Sequence, residues 1–64
     1  MYNLLREIRT AQGVSRAELA EAVEVNVQTI GALERGQYSP SLYLALMICE
    51  ALDTQLDQVF GLAD

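Results

Sequence analysis

Glu24 and Val25 are the only residues between two helical patterns, and this spacing constrains the fold more than any other feature of the chain. Upstream, Ser15-Arg16-Ala17-Glu18 fits a capping box, in which the Ser15 hydroxyl and the Glu18 carboxylate satisfy each other's backbone amides. Leu19, Ala20 and Val23 follow at inward-facing positions, so the spacing predicts a helix over 16–23. Downstream, Asn26 is a good N-cap for a helix that begins at Val27 and stops before Gly36. Two residues leave no room for a loop, so these helices must meet at a tight turn.

The remaining segments follow by the same reasoning. Leu4, Leu5, Ile8 and Ala11 recur at helical spacing, and Gly13 stands where a helix ends in a left-handed residue, which predicts a first helix over 2–12. Ser39-Pro40-Ser41 places an N-cap before a proline at the first helical position, where its missing N–H costs nothing, and opens a fourth helix over 40–52. Thr54-Gln55-Leu56-Asp57 is a weaker capping box, with Asp in place of Glu, ahead of a short fifth helix carrying Leu56, Val59 and Phe60. The sequence has no alternating run of useful length, no repeat and no low-complexity linker. The expected fold class is all-α, a compact five-helix domain over 1–64.

A chain of 64 residues buries only about 60% of its unfolded surface, so every apolar face must serve one core or a partner. The lone Cys49 cannot form an internal disulfide, which points to a reduced, cytoplasmic setting. MYNLLREIRT lacks the continuous apolar core of a signal peptide, and no run approaches the roughly 20 apolar residues of a membrane span, so no membrane association is expected. With no histidine and one cysteine, neither a zinc site nor an imidazole-activated nucleophile can be built. No catalytic residue, metal or cofactor is expected, and the chain is not expected to be an enzyme.

Charge is uneven. Residues 1–20 hold Arg6, Arg9 and Arg16 against two glutamates, a net +1, whereas residues 21–64 hold Arg35 against seven carboxylates, a net −6. A nucleic-acid surface would therefore involve the N-terminal half and Arg35, because phosphate neutralisation supplies most non-specific affinity. The total of −5 argues against strong non-specific binding.

Two short helices joined by a tight turn, the second exposed on one side, can brace that second helix in a DNA major groove about 12 Å wide. The stretch SRAELAEAVEVNVQTIGALERGQYSPSLYLAL is similar to the phage repressor and Cro family of helix-turn-helix regulators, also called the Xre family. The resemblance covers about residues 4–60, and SxAELA, QTI, ERGxYSPSL and the closing VF are its most specific parts. It implies a lambda-repressor-like fold and a sequence-specific DNA-binding transcriptional regulator, expected to be a repressor and commonly a homodimer on a two-fold operator. Two positions depart from the family: Glu24, where glycine is usual in the turn, and Val27, where a polar or basic residue is frequent.

At 100° per residue, Ile30 and Leu33 face inward, while Val27, Gln28, Gly31, Ala32 and Arg35 face outward. Gln28 can grip adenine through N6 and N7, and Val27 and Ala32 can touch a thymine methyl, so a preference for A·T-containing steps is expected. The bland alternative is a merely solvated face. Arg16 stands where the resemblance places a DNA contact and could meet a base or a phosphate; its alternative is pairing with a nearby glutamate. Arg35, Gln37 and Tyr38, with Ser15 and Asn26 at the helix starts, form the expected phosphate-contacting rim. Arg9 and Glu34 resemble the family's buried salt bridge, a structural role preferred over DNA contact.

In the fourth helix Leu42, Leu44, Ala45, Ile48, Cys49 and Leu52 suffice for burial, with Cys49 a structural core residue. Tyr43, Leu46 and Met47 make a second stripe which, with Phe60, is the candidate dimer interface, unless the segment 59–62 covers it. Net acidity, Val27 and the absence of lysine leave room for a rival: the same fold used as a protein-interaction module or as an antitoxin-like partner-binding protein.

Overall fold

The computed structural model of the chain describes residues 1–62. Its elements are β1 (Tyr2–Asn3), α1 (Leu5–Ala11), α2 (Arg16–Ala22), α3 (Val27–Glu34), α4 (Leu42–Ala51), α5 (Leu56–Val59) and β2 (Phe60–Gly61). Asp64, counted above in the acidic half, lies outside the described residues. Leu5, Leu19, Ile30, Leu33, Ile48, Leu52 and Val59 are fully buried, so each helix sends at least one side chain to a common core.

The central pair forms as its caps dictate. The Ser15 hydroxyl accepts from the Glu18 amide at 3.0 Å, and the Glu18 carboxylate accepts from the Ser15 amide at 2.8 Å. The Asn26 side-chain oxygen accepts from the Gln28 amide at 2.7 Å to start α3. Between them the chain reverses through Glu24 at φ 61°, and the Val25 amide donates to the Ala20 carbonyl at 3.0 Å to close the turn. A non-glycine side chain is thus accommodated in a left-handed conformation without a shift of the turn.

The termini differ from the helical expectation. Tyr2 and Asn3 are extended and pair antiparallel with Gly61 and Phe60, and α1 begins only at Leu5. Asn3 explains the late start. Its side-chain oxygen accepts from the Leu5 amide at 3.1 Å and its amide group donates to the Leu33 carbonyl at 2.9 Å, while the Leu4 amide donates to the Val59 carbonyl at 2.8 Å. The inward side of α1 is consequently Leu5, Ile8 and Arg9, with Leu4 and Ala11 exposed. The Tyr2 ring lies against Gly61, where a Cβ would collide with it.

Two helix starts also move. Ser41, not Ser39, caps α4, its hydroxyl accepting from the Leu44 amide at 3.1 Å, so Pro40 precedes the helix. Gln55, not Thr54, opens α5, where its amide donates to the Gln58 side chain at 2.7 Å. Thr54 instead turns back on α4, its amide donating to the Cys49 carbonyl at 2.9 Å. With α4 starting at Leu42, that residue is 66% exposed and does not join the core. At the far ends, Val23, Arg35 and Leu52 stand one residue beyond α2, α3 and α4 as C-caps.

Candidate nucleic-acid interface

The base of the site is a carboxylate shared by two arginines. Arg9, at the buried edge of α1, donates from Nε to Glu34 Oε2 at 2.7 Å and from Nη2 to Oε1 at 3.3 Å, and its Nη1 donates to the Val14 carbonyl at 2.8 Å. Arg16, at the first position of α2, donates from Nε to Glu34 Oε1 at 3.0 Å. The Glu34 side chain is only 2% exposed, whereas that of Arg16 is 46% exposed. Among the described residues no buried side-chain polar atom lacks a partner, which is the condition for burying such charges at tolerable cost. Burial pushes the Glu34 carboxyl up, but the hydrogen bonds and charges of Arg9 and Arg16 outweigh it and hold the group below the usual glutamate value.

Above this base, Arg16, Val27, Gln28, Gly31 and Arg35 line one shallow depression of about 220 Å³. Gly31 is buried and Arg35 folds back over it: a Cβ there would stand 3.1 Å from Arg35 Nη1. Arg35 therefore lies along the outward face of α3 rather than out on the rim. Val27 and Gln28 are exposed, but Ala32 is half-buried and does not line the depression. Among the described residues Arg35 makes no ion pair.

The expected rim is distributed around this depression. Ser15 and Asn26 each spend an acceptor on their own helix, which leaves the Ser15 O–H and the Asn26 amide N–H groups as outward donors. Gln37 and Tyr38 follow α3 and are exposed. Glu18, held below the usual glutamate range chiefly by the Ser15 amide, is an anion next to this surface.

A helix-turn-helix family model matches residues 5–59. The chain belongs to the helix-turn-helix family of DNA-binding transcriptional regulators.

This helix-turn-helix chain is similar over its whole length to an uncharacterized HTH-type transcriptional regulator, YgzD, of Bacillus subtilis (strain 168). The two are 44% identical over 64 residues, covering 100% of this chain and 97% of that one. A second such regulator, from Methanothermobacter thermautotrophicus, is 49% identical over 61 residues, covering 94% and 88%. Among solved structures, the restriction-modification controller protein C.AhdI from Aeromonas hydrophila superposes with a TM-score of 0.82 at 39% identity, covering 88% of this chain and 85% of that one. The clp gene regulator ClgR from Corynebacterium glutamicum superposes with a TM-score of 0.80 at 38% identity, covering 83% and 56%. The family is one of non-enzymatic regulators.

In this helix-turn-helix protein the candidate dimer residues do not form one stripe. Tyr43 and Leu46 are 73% and 51% exposed, whereas Met47 and Phe60 are half-buried against the core. Residues 59–62 leave Tyr43 and Leu46 uncovered. A larger apolar groove, about 660 Å³, runs beside them between α4 and α5, lined by Leu42, Leu56, Phe60 and Leu62 among others. Sequence reasoning missed it by assigning Leu42 to the core; the available signal was a fourth helix apolar on more sides than one core can use. Among the described residues no helix is long and apolar enough to cross a membrane.

Proposed function

We propose that the protein is a sequence-specific regulator that places the outward face of α3 in the major groove of an operator, as a homodimer on a two-fold site. The observation that carries this reading is the gathering of Arg16, Val27, Gln28 and Arg35 around one depression beside two capped helix starts. In this reading Gln28 pairs with adenine N6 and N7, Val27 packs on a thymine methyl, and half-buried Ala32 contributes at the margin. Ser15, Asn26, Gln37 and Tyr38 donate to phosphates and set the register, while Arg35, lying over Gly31, attracts DNA at the centre of the surface.

Two-fold pairing places the two copies of α3 about 34 Å apart, one turn of DNA. Exposed Tyr43 and Leu46, backed by Met47 and Phe60, are the surface proposed for it. Occupying an operator that overlaps a promoter makes the regulator a repressor, acting in the cytoplasm where Cys49 stays reduced.

Selection from a pool of randomised duplexes, followed by titration of the selected duplex against salt, tests the reading. A selected two-fold sequence, with affinity lost in Gln28→Ala together with Arg16→Ala, supports it. Binding to no duplex at low salt overturns it in favour of a protein-interaction or antitoxin-like role, which the apolar groove between α4 and α5 would serve.

A further inference from the structure

Arg16 is the exposed member of the three-residue ion network, and the way it is held limits what it can do. A guanidinium is a planar fork with five N–H donors. In Arg16 the Nε donor is committed to Glu34 Oε1 at 3.0 Å. Glu34 is itself fixed, because Arg9 donates to both of its oxygens and is anchored in turn on the Val14 carbonyl. The plane of the Arg16 fork is thus set by a buried group rather than by solvent. Among the described residues its two terminal nitrogens have no hydrogen-bond partner, and the side chain borders the depression that Gln28 and Val27 also line.

Resting on the reading of DNA by α3, we propose that Arg16 is a guanine-reading residue and that Glu34 is the residue that positions it. With Nε occupied, the edge left free is the Nη1–Nη2 pair, and two parallel N–H bonds match O6 and N7 of guanine in the major groove. A phosphate accepts the same fork, so the choice between the two rests on where Arg16 stands. The tether to Glu34 restrains the fork, and Arg16 lines the same depression as Gln28, the residue assigned to a base edge, which favours a base over a phosphate. The half-site therefore contains a guanine close to the adenine assigned to Gln28, rather than A·T steps alone.

The test uses the full chain and the duplex it selects. Each guanine in turn is replaced by 7-deazaguanine, which removes N7 and keeps base pairing. At one two-fold-related position the wild type should lose about tenfold in affinity, within the range of one arginine–guanine contact, and Arg16→Ala should be insensitive to the same replacement. Arg16→Lys, which keeps the charge and lacks the fork, should keep the salt dependence and lose the discrimination. Glu34→Gln, studied at a temperature where circular dichroism shows it folded, should lose the guanine preference while keeping that for adenine; retention of both overturns the positioning role.

Equal sensitivity in the wild type and Arg16→Ala overturns the guanine assignment. So does an Arg16→Ala variant that weakens all duplexes alike and, with one arginine lost from each protomer, lowers the salt slope by about 2, the behaviour of a phosphate anchor, and that result leaves reading by α3 standing. A wild type that selects no sequence removes both.

Discussion

Glu24 sits at φ 61°, where an L side chain crowds the following carbonyl at a cost of roughly 1–2 kcal/mol, partly offset against glycine because glycine loses more entropy on folding. Glu24→Gly should therefore stabilise the protein by about 0.5–1 kcal/mol in urea melts. Asp53, at φ 53°, should gain less from the same change because a short polar side chain tolerates this region. Glu34 obeys the opposite logic. Its removal leaves Arg9 buried and unpaired, so Glu34→Ala should cost about 3–5 kcal/mol, whereas Arg16→Ala, at a half-exposed pair, should cost less than about 1 kcal/mol. A Glu34→Ala loss below about 0.5 kcal/mol in the same melts would overturn the buried-pair account. The lowered Glu34 value also sets a pH dependence. A carboxyl lowered in the folded state contributes stability above the unfolded value, about 4.3, and loses it as pH falls through the folded value. Urea midpoints should thus hold down to about pH 5 and fall below it, less steeply in Glu34→Gln than in the wild type; Glu18 titrates in the same window in both. The pairing of Arg9 with Glu34 was legible from the family pattern. For Arg16, pairing with a glutamate was the alternative to DNA contact; that its partner is Glu34, 18 residues away, depends on the crossing of α2 and α3, which spacing does not give.

At the scale of the element, caps decide where helices begin, and two serines competed for α4. Only Ser41 has its hydroxyl on a helical amide, so Ser41→Ala should cost about 1 kcal/mol and Ser39→Ala close to none, as read by thermal melts of the two variants. Equal losses would return the start to Ser39 and Pro40. The same contrast shows what a single sequence carries. The capping box at Ser15 and the cap at Asn26 were legible because each is a local hydrogen bond between residues two or three apart. β1 and β2 were not, since strands of two residues have no periodicity, and their pairing depends on Val59 and Leu33 receiving the N-terminal segment. Leu42 was misplaced for another reason: three residues before buried Ala45 and seven before buried Cys49 it falls on the core side of the wheel, yet as the first residue of α4 it stands at the helix end and is 66% exposed. The outward face of α3 was legible in kind, yet the folding of Arg35 over Gly31 depends on a side-chain rotamer that spacing does not specify.

For the whole molecule, the question is how a chain of net charge −5 approaches a polyanion. Its positive charge is concentrated where the reading face lies: Arg9, Arg16 and Glu34 together carry +1, and Arg35 adds a second unpaired cation at the depression. Glu50, Asp53 and Asp57 belong to α4, α5 and the turn between them, and none of the three lines the depression. Such a distribution favours a correctly oriented encounter and disfavours sliding contact through any other face. It also bounds the salt dependence. The chain has no lysine and four arginines, and Arg9 is buried, so three arginines per protomer can reach phosphates. For the proposed dimer the slope of log K against log salt should be no steeper than about −5, taking 0.9 per phosphate neutralised. Arg35→Ala in both protomers should flatten it by about 2 units at most. Filter-binding or anisotropy titrations between low and physiological salt measure both values. A wild-type slope steeper than about −7 exceeds what six exposed arginines can neutralise, and would overturn the two-protomer complex in favour of a larger assembly on the DNA.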